Sequence, residues 1–341
     1  MALPDPTRRF TFLLLDRFTM LPFAATVDAL RLANKLSGKP LYDWRLVGTQ
    51  GPVATCSNGS RIAVDADLGD DRAAARDDVL VVCGGDAVTT QATRPVLAWL
   101  RRQARSGAVL AAVCTGAHVL ARAGLLDGRR ATIHWENHDS FVETFPDVTL
   151  HRQVFVDDGA RLTAGGGTSS IDMMLHLIGR THGADLVSRI ADQMLHTSIR
   201  TDREGQRLSV ATRIGIRHPR LAAIVERIEA NLEHPVSPSR LAADAGMSTR
   251  QLERLFMRYL DRSPKRYYLE ARLGRARHLL LHTDLPLIEI AIACGFASSS
   301  HFSKCYRDRY GTSPYRERGV QRAALVVPPP PRTEPVLALA S

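Results

Sequence analysis

Short apolar runs alternate with amphipathic segments through the first 190 residues of the chain. The runs 10–15, 79–83 and 109–113 are typical of strands that are buried on both faces of a sheet. Apolar residues at helical spacing predict helices over 22–36 and 95–105, the first opened by a proline. Buried strands separated by helices predict a doubly wound, flavodoxin-like α/β domain with a mostly parallel sheet.

The second half of this region adds a hairpin and one more helix. Residues 154–156 and 161–163 alternate around the turn Asp157-Asp158-Gly159, which predicts two antiparallel strands. Three glycines, 165–167, then precede a helix that is predicted over 168–182. The region therefore ends as it began, with a strand leading into a helix.

From Pro219 onward the strand pattern stops and every amphipathic segment is helical. We predict an α/β domain over 1–200, a polar connection over 201–217 and an all-α domain over 218–322. The last segment, 323–341, contains four consecutive prolines and is too short to fold, so it is predicted to be disordered.

Two segments of the helical region, 237–256 and 287–306, follow one plan. Each consists of a short apolar helix with small residues, a glycine, a tight turn, a serine N-cap and a longer amphipathic helix. The glycine and serine are Gly246 and Ser248 in the first segment and Gly295 and Ser298 in the second. This plan indicates two helix-turn-helix motifs, whose second helices enter the major groove of DNA.

Residues 264–282 have apolar positions at helical spacing and predict one long helix between the two motifs. Its length of roughly 27 Å is close to one ~34 Å turn of DNA. Four arginines lie along it: Arg266, Arg272, Arg275 and Arg277. If Arg272 touches phosphate, its loss should weaken specific and non-specific DNA binding alike. The alternative is a helical module that binds protein.

The charge distribution favours DNA as a partner of the C-terminal region. The net charge of the chain is +10; residues 218–322 hold 18 basic and 11 acidic residues, which is +7, and residues 1–217 carry +3. This asymmetry suggests a nucleic-acid partner, although a solvated basic face is the alternative.

Residues 272–280, 288–296 and 311–314, with Phe302 and Tyr306, closely resemble the signature of the AraC/XylS family, over about 220–318. In that family the exposed face of each recognition helix reads base edges. The resemblance implies DNA contacts from Arg250, Glu253 and Arg254 in the first helix, and from Ser299, Ser300, His301, Ser303 and Lys304 in the second. Arginine suits guanine, whereas the serine-rich second helix suits readout of phosphate and shape.

Cys114 lies between an apolar strand and a helix, with small residues at Ala112 and Gly116. This arrangement is typical of a nucleophile elbow, and a helix N-terminus lowers the pKa of a thiol. The N-terminal domain resembles the class I glutamine amidotransferase-like, or PfpI-like, fold, which presents a cysteine in this way. In that fold a carboxylate often lies near the cysteine, and Asp16 occupies the matching place.

A working cysteine nucleophile also needs a base. PfpI-like peptidases place a histidine directly after the cysteine, where this chain has Thr115. His118 and His134 are the remaining candidates, and neither completes a triad from sequence alone. We therefore predict no catalytic residue, no cofactor and a ligand pocket instead of an active site.

The two resemblances together imply an AraC-type regulator with an amidotransferase-like sensor domain. Residues 114–128, 134–137, 145–146 and 250–256 fit this group. Within it the chain looks most like activators of glycine betaine, dimethylglycine or carnitine catabolism, with arginine-responsive regulators a close second. The predicted ligand site lies at the carboxyl ends of the strands, where the Trp135 ring and the Glu136 carboxylate would attract an ammonium group. Its residues are Asp16, Cys114, His134, Trp135 and Glu136. The alternative is that Trp135 packs in the core and Glu136 is solvated.

The leading hypothesis is a ligand-responsive transcriptional activator that acts as a homodimer. Its partners are double-stranded promoter DNA, a small inducer and, as a further candidate, RNA polymerase. The rivals are a cysteine hydrolase or amidase with a DNA-binding appendage, and a redox or carbonyl-stress sensor that uses Cys114.

The composition also bears on the cellular location of the protein. No uncharged apolar run approaches the ~18–20 residues of a membrane span, and the N-terminus lacks the apolar core of a signal peptide. Five scattered cysteines without a CxxC pair argue against a disulfide framework and a zinc or other metal site. We expect a cytoplasmic, nucleoid-associated protein without membrane contact.

Overall fold

A seven-stranded sheet forms the centre of the N-terminal domain in the computed structural model, which describes residues 7–69, 78–207, 212 and 218–319. The strands are β1 (Arg8–Leu14), β2 (Tyr42–Gly48), β3 (Val53–Thr55), β4 (Arg61–Ala63), β5 (Ala66–Asp67), β6 (Val79–Cys83), β7 (Val109–Val113), β8 (Arg130–Ala131), β9 (Thr149–Leu150), β10 (Phe155–Asp157) and β11 (Arg161–Ala164). The order in the sheet is β10-β11-β7-β6-β1-β2-β5, and only the β10–β11 pair is antiparallel. The small pairs β3–β4 and β8–β9 lie outside it.

Helices cover both faces of this sheet. They are α1 (Met20–Ser37), α2 (Val88–Gln91), α3 (Arg94–Arg105), α4 (Gly116–Arg122), α5 (His138–Thr144), α6 (Ser169–His182) and α7 (Ala184–Gln193), with a 3₁₀ turn at Trp135–Asn137 before α5.

Alternation along β1 explains why the domain has two cores. Phe10 and Phe12 point into a core with α1, α6 and α7, whereas Leu13 points into the opposite core with α3, α4 and α5. All five residues of β6 are buried, as the continuous apolar run predicts for a strand covered on both sides. The doubly wound α/β class predicted from the pattern is confirmed.

The C-terminal domain contains helices only, among its described residues 218–319. They include α8 (Pro219–Ala230), α9 (Pro238–Asp244), α10 (Thr249–Leu260), α11 (Pro264–His282), α12 (Leu287–Ala293) and α13 (Ser299–Tyr310), and residues 314–319 are helical as well. One core joins α8, α9 and α10 to Tyr268 of α11, and a second joins the C-terminal half of α11 to α12 and α13. The connecting helix α11 therefore belongs to both cores and has the predicted bounds.

The beginning of the predicted connection packs on the N-terminal domain. The backbone N–H of Val154 donates to Glu204, and Gln153 forms an antiparallel bridge with Gly205. The predicted connection beyond 207, apart from Thr212, and the predicted tail 323–341 lie outside the described residues. In the part of the chain that the structure covers, no helix is both long and apolar enough to span a membrane.

Candidate functional site

Four neighbouring parallel strands, β11, β7, β6 and β1, end at one edge of the sheet. The segments that follow these strands begin at Gly165, Cys114, Gly84 and Leu15. Because carboxyl ends of parallel strands meet at the same edge, these segments build the candidate site. The chain changes direction in the sheet between β1 and β6, where crevices of this fold form.

The turn after β7 holds Cys114 in a left-handed conformation with φ +59°. Gly116 at the start of α4 and Gly166 in the loop after β11 make room for this strained turn. A Cβ on Gly116 would lie 2.3 Å from the Val82 carbonyl oxygen, and one on Gly166 would lie 2.9 Å from Cys114 Cα. The backbone of a nucleophile elbow is therefore present at Cys114.

The Cys114 thiol is not activated. Burial raises its pKa, although a Thr19 hydroxyl 3.6 Å from Sγ acts in the opposite direction. The expectation that the helix N-terminus lowers this pKa is wrong because desolvation of the thiolate is the larger effect. Among the described residues, no histidine ring lies within hydrogen-bond distance of Sγ.

The two candidate bases face elsewhere. The His118 ring packs on Phe145 with ring centroids 5.0 Å apart, and burial lowers its pKa to about 4. His134 Nδ1 lies 3.6 Å from Glu136 Oε2, and burial lowers the pKa of His134 as well. Both rings are therefore neutral at pH 7, and neither is placed to accept a proton from Cys114.

A cavity of about 210 Å³ opens at this edge beside Cys114. It is lined by His134, Trp135, Val154, Gly165, Gly166, Gly167, Thr168, Ser169, Arg200 and Gln206. Of the predicted ligand residues, His134 and Trp135 line it, and Cys114 lies directly behind Gly166. Glu136 and Asp16 are exposed and outside the lining.

The two helix-turn-helix motifs present their second helices, α10 and α13, on the surface of the C-terminal domain. Gly246 and Gly295 adopt positive φ, as predicted. Ser248 forms a capping box with Gln251, and the Ser298 hydroxyl accepts from the His301 N–H. These caps start each recognition helix directly after its turn.

Burial separates the two faces of each recognition helix. Arg250, Glu253 and Arg254 of α10 are exposed, while Leu252 and Phe256 are fully buried. On α13, Phe302 and Tyr306 are buried; Ser300, His301 and Lys304 are exposed, and Ser299 and Ser303 are half-buried. The predicted DNA-contacting residues thus lie on the outer faces.

Known proteins resemble this chain in both its N-terminal and its C-terminal domain. Its residues 8–180 match the DJ-1/PfpI family, and residues 241–319 match a helix-turn-helix domain family. The HTH-type transcriptional regulator GbdR of Pseudomonas aeruginosa UCBPP-PA14 is 47% identical over 90% of this chain and 83% of its own length. The HTH-type transcriptional regulator CdhR of P. aeruginosa PAO1 is 40% identical over 94% of this chain and 95% of its own.

The chain belongs to the AraC family of helix-turn-helix transcriptional regulators and carries a DJ-1/PfpI N-terminal domain. Among solved structures, a ThiJ/PfpI family protein from Pseudomonas syringae has a TM-score of 0.50 at 18% identity, over 67% of this chain and 93% of its own, which supports the fold alone. DNA binding through the helix-turn-helix domain follows from the family.

Sequence reasoning missed Arg200 as a cavity residue of this regulator. Its Nη2 lies 2.6 Å from Asp172 Oδ2 and donates to the Thr168 hydroxyl at 2.7 Å. Asp172 is completely buried and also pairs with His196 Nε2 at 2.7 Å. Arg200 lies in a polar segment without periodicity, so the sequence does not indicate that it reaches the cavity. Its pairing with the buried Asp172 in the structure does.

Gln206 and Asp86 were missed for similar reasons. The Gln206 amide donates to the Thr132 hydroxyl and to the Ile133 carbonyl, each at 2.8 Å, and so closes one wall of the cavity. Asp86 follows the Gly84-Gly85 pair after β6, and its charge raises the pKa of Cys114. The negative charges of Asp86 and Glu136 both raise the pKa of the thiol.

The four arginines of α11 all have partners within the protein. Arg272 donates to the Cys294 and Gly295 carbonyls at 2.7 and 2.6 Å and stacks on Phe296 at 4.1 Å. Its guanidinium therefore ties α11 to the second turn. Arg266, Arg275 and Arg277 pair with Glu270, Asp139 and Glu317, respectively.

All five cysteines are free, and the described residues contain no cluster of three histidine, cysteine or acidic side chains placed to hold a metal ion. Cys56, Cys83, Cys114 and Cys294 are buried.

Proposed function

We propose that this regulator binds a small zwitterion, an ammonium carboxylate such as glycine betaine, dimethylglycine or carnitine, in the cavity beside Cys114. The observation that carries the proposal is that one small cavity brings together an aromatic ring, Trp135, and a guanidinium, Arg200. A volume of about 210 Å³ is below the ~300–1,000 Å³ of drug-sized pockets and suits a ligand of few atoms.

The carboxylate of the ligand binds on the side of Arg200. Its guanidinium uses part of its fork on Asp172 and Thr168 and retains further N–H groups for a ligand. Helix α6 begins at Ser169 in the same wall, and its N-terminal dipole favours a negative group there. Asp172 balances the charge of Arg200, so the wall selects a carboxylate through directed hydrogen bonds.

The ammonium group binds on the side of Trp135. This ring already has a cation against it, because the Arg207 guanidinium lies 4.4 Å from its centroid. A methylated ammonium on the same kind of ring is attracted by ~0.5–2 kcal/mol. Arginine also has a cation and a carboxylate at its two ends, so it remains the alternative inducer.

Transcription control then acts through the two recognition helices. We propose that Arg250 and Arg254 of α10 read base edges and that Ser300, His301 and Lys304 of α13 contact the phosphate backbone. We further propose that the regulator activates transcription as a homodimer on a two-part promoter site, with RNA polymerase as a candidate partner. The paired half-sites of such a dimer would follow its two-fold symmetry.

We also propose that Cys114 has a structural role and no catalytic one. Support comes from its raised pKa and from the two neutral histidines that face other partners. A cysteine hydrolase would require a thiolate and an adjacent base. If wild-type protein released product from an amide or ester that Cys114→Ser leaves intact, the hydrolase alternative would replace this proposal.

Calorimetry with glycine betaine, dimethylglycine, carnitine and arginine tests the ligand proposal. We expect at least one of the four to bind wild-type protein, Trp135→Leu to weaken it roughly 3- to 30-fold, and Trp135→Phe to weaken it less. Arg200→Lys, which keeps the charge against buried Asp172 but loses the fork, should weaken binding by about tenfold.

Val142→Ala is the matched control for these variants. Val142 is exposed on α5, near Trp135 in sequence and outside the cavity lining. It should bind as wild type does. Failure of all four compounds to bind, or equal binding by Trp135→Leu and wild type, would overturn the proposed ligand class.

A further inference from the structure

The segment from His134 to Ser140 joins the cavity to the DNA-binding domain. At its beginning, His134 and Trp135 line the cavity. At its end, Asp139 Oδ2 lies 3.1 Å from Arg275 Nε of α11; the two partly buried side chains form an ion pair whose angle is not that of a hydrogen bond. Ser140 Oγ lies 3.4 Å from His278 Nε2, one turn further along the same helix.

A second connection begins at the same cavity residue. Arg207 stacks on the Trp135 ring, and its Nη1 lies 3.7 Å from Glu229 Oε2 of α8. Glu229 also accepts a hydrogen bond from the Tyr267 hydroxyl of α11 at 3.2 Å. Trp135 is therefore linked through one arginine to both α8 and α11.

The segment between these contacts is internally fixed. His138 is buried, and its Nε2 lies 3.0 Å from the Ile133 carbonyl oxygen. The Ser140 hydroxyl donates to the Asn137 carbonyl at 3.0 Å, and Phe141 is fully buried. A displacement of Trp135 therefore moves Asp139 and Ser140 with it, because packed elements shift as units.

We propose that the segment His134–Ser140 is the coupling element of this regulator, through which ligand in the cavity changes the docking of α11 and thus the placement of both recognition helices. The inference rests on the proposed function for the ligand. A ligand on the cavity side of Trp135 shifts the ring and, with it, the Arg207 guanidinium that stacks on the ring and contacts Glu229. The docking contacts themselves exist without ligand, so they can be tested separately.

Docking leaves the reading faces free. Arg250, Arg254 and Lys304 are exposed while Asp139 and Arg275 are paired. The coupling therefore acts on the position of α11 and not by covering the recognition helices. Reciprocity requires that ligand and DNA change the affinity for each other by one factor, typically 5- to 150-fold.

The first test needs no ligand. Hydrogen exchange of residues 134–144 is measured in full-length wild type and in Arg275→Ala, where we expect faster exchange because the docking contact is lost. Asp139→Asn should act in the same way, and the exchanged pair Asp139→Arg with Arg275→Asp should restore protection. Arg266→Ala is the matched control, because Arg266 lies on the same helix and pairs with Glu270 within it.

The second test measures the coupling factor. Affinity for a duplex selected by the wild-type protein from a random pool is determined with and without saturating glycine betaine, dimethylglycine, carnitine or arginine. We expect the factor to fall toward one in Arg275→Ala while ligand affinity in the absence of DNA stays within about twofold. Arg266→Ala should keep the wild-type factor.

The two tests separate the possible failures. Unchanged exchange in Arg275→Ala and in Asp139→Asn, or a coupling factor equal to that of wild type, overturns the coupling proposal. Faster exchange that the exchanged pair reverses supports the coupling element, even if none of the four compounds binds. In that last case the ligand class under the proposed function is wrong.

Discussion

The sensor edge and the recognition helices handle ionisable groups in opposite ways. At the edge around Cys114, burial raises the pKa of the thiol and lowers that of His118 to about 4, so both groups are neutral at pH 7. On α10 and α13 the cations Arg250, Arg254 and Lys304 project into solvent. The proposed ligand cavity and the DNA-binding surface thus differ in how their charged groups are solvated.

This difference indicates where long-range charge contributes to binding. Exposed cations on a helix face neutralise phosphates and release counterions, which makes DNA affinity depend on salt. Inside the cavity the charge of Arg200 is balanced by the buried Asp172, so we expect the proposed ligand to be held by short contacts. Salt should therefore affect the two sites very differently.

The largest expected effect is this contrast in salt dependence. Between 50 and 200 mM salt, DNA affinity should fall by about 10³-fold, because several phosphate contacts are made at once. Over the same range, affinity for a cavity ligand should change by less than about threefold. Fluorescence anisotropy and calorimetry would measure the two. DNA affinity that does not change with salt, or ligand affinity that depends on salt as strongly as DNA affinity does, would contradict this contrast.

Arg272 of the C-terminal domain is a half-buried cation with carbonyl partners, between these two extremes. Arg272→Ala removes donors from the Cys294 and Gly295 carbonyls and should lower the free energy of unfolding by roughly 2–4 kcal/mol. Arg272→Lys should not restore it, since lysine lacks the planar fork. Urea unfolding is the measurement. An unaltered midpoint in Arg272→Ala would mean that this guanidinium is a surface charge like the others.

Exposed cations should separate into two kinds. Arg250→Ala and Arg254→Ala should each cost ~1–3 kcal/mol of specific affinity and leave non-specific affinity nearly unchanged. Lys304→Ala should weaken both alike and reduce the salt slope by about one. Competition binding against mismatched duplexes distinguishes them. Equal losses on specific and random DNA for all three would remove the base-reading role of α10.

The smallest expected effect is a dependence of stability on pH that comes from His118 and His278. Burial lowers the pKa of His118 to about 4 and of His278 to about 3, below the ~6.5 of an exposed histidine. The groups facing them are Arg122, His282, His134 and Ser140, while Glu136 and Asp86 face His282.

Because the unfolded chain binds these protons more readily, stability is complete above pH ~6.5 and declines as the pH falls toward 4. Each histidine should contribute roughly 1–2 kcal/mol of loss at pH 5. Thermal midpoints at pH 7.5 and 5 in wild type and His278→Gln would measure it. An equal decline in both proteins would show that His278 is not one of the responsible groups.

The fold and the DNA-binding motifs could be predicted from sequence because their signals are local and periodic. The run 79–83 and the glycine–serine spacing at Gly246 and Ser248 require only neighbouring residues, and the structure has them as predicted. The cavity could be predicted only in part. Arg200 and Gln206 reach it from a segment without any period, and their partners are 28 to 74 residues away.

Long-range contacts also decide what the sequence does not reveal. The partners of Arg272 are carbonyls 22 and 23 residues further along the chain, which its place among the arginines of α11 does not indicate. The thiol pKa of Cys114 depends on how completely the surrounding chain excludes water, which a nucleophile-elbow motif does not reveal. The local sequence pattern predicts each helix or strand, whereas contacts between distant residues determine which partners its side chains have.

Ligand-dependent DNA affinity of the full-length regulator tests the central claim most directly. Affinity for the selected duplex is compared with and without a saturating zwitterion, in wild type, Trp135→Leu and Val142→Ala. We expect ligand to change the DNA affinity at least fivefold in wild type and Val142→Ala, and less than twofold in Trp135→Leu. Equal DNA affinity with and without each of the four compounds in wild type, or a full response in Trp135→Leu, would contradict it.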